Sequence, residues 1–146
     1  MRQPILDKGI HIDSDPARVD MPLVYRYLHE QMYWAKSLTL EQFERAVQHS
    51  AVVFGLYDEV NGGRQVGFAR VISDCATFAY LTDVFILEEY REKGLSRKLM
   101  EAVLAHPKLQ GLRRFLLVTE DAGGLYAKFG FQPLQDGSHW MQIFQE

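Results

Sequence analysis

Arg91, Lys93, Arg97 and Lys98 put four cations into eight residues, opposed only by Glu92. Gly94 and Ser96 sit among them, where the strand-like run Leu81 to Leu87 gives way to the amphipathic stretch Gly94 to His106. Backbone N–H groups at a helix start lack intrahelical acceptors, and the helix dipole adds partial positive charge there. A glycine at that point lets a ligand approach the backbone closely. The segment therefore suits a pyrophosphate. Its alternative is a solvated helix end with scattered Lys and Arg. The chain has no Gly-x-x-x-x-Gly-Lys and no Gly-x-Gly-x-x-Gly, so an ordinary nucleoside-triphosphate loop or dinucleotide fingerprint is disfavoured.

Other reactive residues carry less. The histidines at 11, 29, 49, 106 and 139 never form His-x-x-x-His spacing, so no metal is expected. Cys75 is the single cysteine. It excludes an intrachain disulfide and a cysteine-rich zinc site, and it reads as a plain thiol in a reducing compartment.

The elements around the basic segment follow from local signals. Gly9 to Ile12 reads as a short strand. Asp20 before Met21-Pro22 caps a helix over 21–32. Thr39 and Gln42 form a capping box for a second helix ending near Gln48. Ala51–Tyr57 and Gln65–Ser73 flank Asn61-Gly62-Gly63 as a hairpin. Thr77–Leu87 is a third consecutive strand. The helix from Gly94 to His106 buries Leu95, Leu99, Ala102 and Val103. Arg114–Thr119 is a strand, Ala122–Phe129 a short helix closed by Gly130, and two short strands are expected within Phe131–Phe144. Hairpins followed by a strand–helix–strand crossover predict an α/β (α+β) fold with a mixed, mostly antiparallel sheet flanked by helices.

The 146 residues fit one domain over 1–146, with 47% apolar and 24% charged residues. The formal net charge of −3 argues against general nucleic-acid binding. Residues 1–8 lack an apolar signal core, and no apolar run approaches the roughly 18 residues of a membrane span, so a cytoplasmic protein without membrane contact is expected.

Two motifs carry a family resemblance. Arg91-x-x-Gly94-x-Ser96 resembles the Arg/Gln-x-x-Gly-x-Gly/Ala loop of the GNAT acetyltransferase superfamily. Ala122-Gly-Gly-Leu-Tyr126-Ala-Lys-Phe-Gly-Phe131 is similar to that family's second motif, Ala-x-x-Leu-Tyr-x-x-x-Gly-Phe. The order and spacing of the motifs match, and with the element string the resemblance covers nearly the whole chain. It implies a GNAT fold with strands 4 and 5 splayed, and acetyl-CoA as cosubstrate. It implies that Arg91, Glu92, Lys93, Gly94, Leu95, Ser96 and Arg97 hold the pyrophosphate, and that Val84, Phe85 and Ile86 lie along pantetheine. The Ile86 amide would polarise the thioester, and Tyr126 would serve the departing sulfur as well as the cofactor. Three positions depart from the pattern. Ser96 replaces Gly or Ala, Glu88 stands where Pro is common, and Thr119 occupies a place often held by Asn.

The resemblance also places the acceptor pocket beside the first two helices. Tyr33 and Trp34 are candidates there, with Phe78 and Tyr80 from the long strand. Asp83 reads as a structural hydrogen-bonding residue rather than the general base; Glu120, Asp121 and His29 are weaker candidates for that role. The implied activity is acetyl transfer to a small-molecule or peptide amine, by a monomer or homodimer. The alternatives are a transferase for another acyl-CoA, or an acetyl-CoA-binding sensor or partner-binding module without catalysis.

Overall fold

A computed structural model describes residues 9–32 and 35–145 of the chain. Five strands make one sheet in the order β1-β2-β3-β4-β5. They are β1 (Ile10–Asp13), β2 (Val52–Asp58), β3 (Arg64–Ser73), β4 (Phe78–Ile86) and β5 (Arg114–Leu117). β1 to β4 form an antiparallel meander, and β5 joins β4 in parallel. The parallel step needs a crossover, which is supplied by the helix between β4 and β5.

Among the described residues, four α-helices flank the sheet: α1 (Met21–Gln31), α2 (Leu40–Gln48), α3 (Leu95–Ala105) and α4 (Gly123–Ala127). The Asp20 carboxylate accepts from the Leu23 N–H at 3.2 Å to start α1. Thr39 and Gln42 form the expected capping box at α2. Across β2 and β3, Phe54 opposes Ala69 and Gly55 opposes Phe68, so Phe54 and Phe68 occupy opposite sheet faces. Phe68 meets Phe43 of α2 and Phe85 of β4, while Tyr27 of α1 stacks on Phe85 at 4.0 Å. On the other face, Phe54 packs edge-on against His106 at the end of α3. Leu95, Leu99, Met100 and Val103 of α3 are buried. The sheet is thus sandwiched between α1–α2 and α3.

Two expectations need correction. The helix around Tyr126 is shorter, starting at Gly123 rather than Ala122 and ending at Ala127. Its pair of glycines weakens the first turn. The two strands expected in 131–144 are absent: residues 131–145 hold only a short 3-10 turn, Gly137–His139. Strand propensity there finds no ladder partner among the described residues, and an unpaired strand has no hydrogen bonds to hold it.

Candidate active site

β4 and β5 pair from Phe78–Arg114 to Leu81–Leu117 and no further. β4 continues to Ile86 with β3 on one side only. Among the described residues, the opposite edge of Thr82–Ile86 therefore has no strand beside it. An open edge presents N–H and C=O groups that an extended, amide-bearing chain can pair with. A continuously paired β4–β5 ladder would have left no such opening.

The opening coincides with a β-bulge. Phe68 opposes Phe85 and Arg70 opposes Thr82, so Ala69 faces two residues, Asp83 and Val84. Asp83 has φ +57°, in the left-handed region that a side chain rarely adopts. A bulge bends its strand and increases the local twist. Here it falls just past Leu81, where the ladder with β5 ends. The Asp83 carboxylate accepts from Arg70 Nε at 2.7 Å, with the two side chains 3% and 13% exposed. Arg70 Nη1 also donates to Ser50 Oγ at 3.4 Å. Asp83 thus fastens the bulge, consistent with its structural reading.

The segment after β4 forms a second opening. Glu92 and Gly94 have φ +62° and +79°, while Lys93 between them does not share that region. Alternation of this kind curls successive N–H groups around a concavity that favours anions. Gly94 is the N-cap of α3 and supplies no side-chain cap. The first N–H groups of α3, on Leu95, Ser96 and Arg97, are left to an outside acceptor. A Cβ built on Gly94 would meet nothing within 4 Å, so the approach is open. A pyrophosphate fits both the charge and the space.

The Arg91 guanidinium is committed to the fold. Nε donates to the Ile86 carbonyl at 2.9 Å and Nη2 to Tyr27 Oη at 2.6 Å. It thereby ties the loop to the end of β4 and to α1. Leu95 and Phe85 are buried, which leaves their backbones for any ligand. Arg97 pairs with Glu101 at 3.5 Å along α3.

Tyr90 anchors the same loop. Its hydroxyl donates to Asp58 Oδ2 at 2.6 Å in the interior. That bond, followed by the one from Asn61, holds the Asp58 carboxyl below the usual carboxylate range. An unfolded Asp titrates near about 3.9, so the lowered value stabilises the fold above that pH and the gain is lost as pH falls through the folded value. Tyr90→Phe is expected to cost about 1–3 kcal/mol at neutral pH. Its acid-induced stability loss should also be smaller than the parent's, read by urea unfolding at a series of pH values. An identical acid slope in both proteins would show that Tyr90 does not set the Asp58 titration.

Tyr126 lies edge-on to Phe131 at 5.9 Å, beside β5, and burial pushes its phenol upward in pKa. It therefore keeps its proton across neutral and mildly alkaline pH. The Thr119 hydroxyl accepts from the Ala122 N–H at 3.0 Å, so it caps the turn into α4. Phe78 and Tyr80 lie in the paired part of β4, opposite Arg114 and Leu116. At about 3.3 Å per residue, Phe78 is on the order of 26 Å from Ile86, remote from the loop. Tyr80 is close to the point where β5 departs. Tyr33 and Trp34 lie outside the described residues. The flanking backbone is held by Tyr25 Oη donating to the Leu38 carbonyl at 2.8 Å and by the Lys36 ammonium donating to the Glu30 carbonyl at 2.8 Å.

Sequence reasoning missed the Arg70 and Tyr27 partners. Both come from distant elements, and no local spacing signals either one.

Known proteins with this arrangement define its class. The sequence profile of the GNAT acetyltransferase domain matches residues 49–133. The chain belongs to the GNAT acetyltransferase family. A crystal structure from Xanthomonas campestris pv. campestris, of a protein assigned to the GNAT family, is 47% identical with TM-score 0.89, covering 99% of this chain and 96% of that one. The Gibberella zeae protein FG08082, which carries an acetyltransferase name, is 34% identical over 136 residues, 80% of this chain and 75% of the relative. A Clostridium acetobutylicum protein solved with acetyl-CoA shares the fold at 15% identity and TM-score 0.66, over 92% of this chain and 96% of that one.

Proposed function

We propose that this acetyltransferase moves an acetyl group from acetyl-CoA to a primary amine by direct attack. The observation that carries the reading is the departure of β4 from β5 after Leu81, immediately before an uncapped helix start at Gly94. One opening suits an extended amide chain and the next suits a pyrophosphate, in the order in which coenzyme A carries them. The fold neighbour from Clostridium acetobutylicum solved with acetyl-CoA supports the same choice.

In this scheme the N–H groups of Leu95, Ser96 and Arg97 bind the pyrophosphate, with Lys93 adding charge and Glu92 holding the loop's turn. The free edge along Val84, Phe85 and Ile86 binds pantetheine, and the Ile86 amide polarises the acyl oxygen. Acetyl-CoA supplies a thioester, an acyl group on a good leaving group. The neutral amine forms the C–N bond as the C–S bond breaks. Tyr126 Oη gives its proton to the departing sulfur. The amine proton passes to solvent, because Asp83 is closed off by Arg70. Tyr33, Trp34 and Tyr80 are proposed to line the acceptor side.

Acetyl-CoA titrated against the thermal midpoint tests the cofactor step. Saturation at 100 times Kd should stabilise the fold by about 2.7 kcal/mol. No shift at millimolar acetyl-CoA would reject the assignment. A panel of amines followed by thiol release then tests catalysis. Stabilisation with no turnover on any amine would instead favour a cofactor-sensing module, a reading supported by the ion-paired state of Asp83. Turnover with a longer acyl-CoA alone would change the donor and keep the site.

A further inference from the structure

The last residue of β4 is gripped from its open side. The Leu87 N–H donates to the Val66 carbonyl at 2.8 Å, so Leu87 turns its backbone toward β3. Successive strand residues turn their N–H and C=O groups to alternate sides. Ile86 therefore turns both groups away from β3, to the edge that has no strand beside it among the described residues. Its carbonyl is already taken there, by Arg91 Nε at 2.9 Å. The Ile86 N–H is the group left to an incoming chain.

Arg91 is itself held in place. Nη2 donates to Tyr27 Oη at 2.6 Å, and the Tyr27 ring stacks on Phe85 with centroids 4.0 Å apart and planes 15° apart. Ile86, Arg91, Tyr27 and Phe85 thus close a ring of contacts around the end of β4. A planar guanidinium can serve both oxygens from fixed arms, which a lysine ammonium on its flexible stem does not reproduce. β3 seats the same stretch closely from the other side. A Cβ built on Gly67, opposite Ile86, would lie 3.0 Å from the Phe85 carbonyl.

We propose that Arg91 is a positioning residue that makes the end of the β4 edge donor-only and so sets the register of the acyl-pantetheine chain. This role rests on the acetyl-CoA reading and adds the device that aligns the cofactor. A free strand edge offers both donors and acceptors, so an amide-bearing chain could pair with it in more than one register. With the Ile86 carbonyl occupied, an incoming amide N–H finds no acceptor at that residue. What the Ile86 N–H can still take is a carbonyl oxygen. An acyl-pantetheine chain carries two amides, each with an N–H beside its carbonyl, and one thioester, which has none. The filter at Ile86 therefore favours the thioester, in the register that sets the acyl oxygen on the Ile86 N–H.

Substitutions at one position separate this role from simple charge. Arg91→Gln loses the charge but puts an amide nitrogen at the same bond count from the backbone as Nε. Arg91→Lys keeps the charge and puts a methylene there. Arg91→Met has neither charge nor donor, and it takes the place of Arg91→Lys should that variant not fold. Calorimetric titration with CoA and with acetyl-CoA reads the register, and kcat on an accepted amine reads its consequence. The parent is expected to bind acetyl-CoA about 2–10-fold more tightly than CoA, the worth of one hydrogen bond. Arg91→Lys and Arg91→Met should abolish that ratio and lower kcat on the order of 10–100-fold, the cost of a small misplacement. Arg91→Gln should keep the ratio and most of kcat. The reverse order, with the lysine variant like the parent and the glutamine variant impaired, would overturn the role and reduce Arg91 to its charge. A ratio unchanged in the lysine and methionine variants would also overturn it, since a merely structural arginine lowers the thermal midpoint without moving the ratio. A parent that binds both ligands equally would overturn the role and keep the cofactor. A parent that binds neither would overturn the acetyl-CoA reading, and the role with it.

Discussion

Asp83→Ala is expected to cost about 3–5 kcal/mol of folding stability, the penalty for leaving a buried charge without its partner. Arg70 is the charge left behind. Its side chain is 13% exposed, it sits 2.7 Å from the carboxylate, and its remaining polar contact is the 3.4 Å bond to Ser50. The backbone adds to the effect. Asp83 is held at φ +57°, and alanine tolerates that region less well than aspartate or asparagine. Urea unfolding of the parent and four variants separates the two causes. Asp83→Asn keeps the backbone preference and one hydrogen bond, so it should lose less than Asp83→Ala. Arg70→Met combined with Asp83→Ala should be less damaging than the two single changes added together, because no charge is stranded. Simple additivity would show that the pair is not coupled. The consequence extends past stability, because the bulge lies where the β4–β5 ladder ends and the open edge of β4 begins.

Tyr126→Phe is the second large effect, and it belongs to the acetyl-transfer reading. A positioned proton donor contributes typically about 10²–10⁴-fold, so kcat should fall by that order on any accepted amine. The ring itself stays, and its edge-on contact with Phe131 does not need the hydroxyl. The thermal midpoint and the acetyl-CoA-induced shift should therefore persist. A raised phenol pKa adds a pH signature. Tyr126 donates only while protonated, so its contribution is present at neutral pH and lost as pH rises through its elevated value. The parent's alkaline decline should disappear in the variant. A kcat equal to the parent's would remove Tyr126 from the chemistry and return it to packing.

Local signals made much of this legible in the sequence. The Thr39–Gln42 capping box, Gly94 ahead of α3 and the three consecutive antiparallel strands β2 to β4 are set by neighbours a few residues apart. The loop at the start of α3 was readable for the same reason, because it follows β4 directly, whereas the β4–β5 opening was implied by the family resemblance. Contacts across the sheet were not readable. Arg70 meets Asp83 only through a bulge, which shifts the register and defeats a simple alternation of faces. Arg91 reads as a free phosphate ligand, whereas in the fold it is bonded to Tyr27 and Ile86. Thr119 looks like a ligand position, and its hydroxyl caps a turn. The segment 140–144 has strand composition, but composition cannot supply a neighbouring strand.

The four-residue ladder between β4 and β5 also has a kinetic consequence. β2, β3 and β4 are joined by short connections and can zip from hairpin to hairpin, with little loop entropy to overcome at each step, while β1 reaches β2 across α1 and α2. β5 must instead wait for α3 to bridge it to β4, and it then docks along one side only. The chain from Arg114 onward should therefore be the last part to fold and the first to open under native conditions. Tyr126 travels with that late unit, whereas the amides at the start of α3 and the free edge of β4 belong to the early one. The machinery divides between a persistent half that would grip the cofactor and a breathing half that would bring the proton.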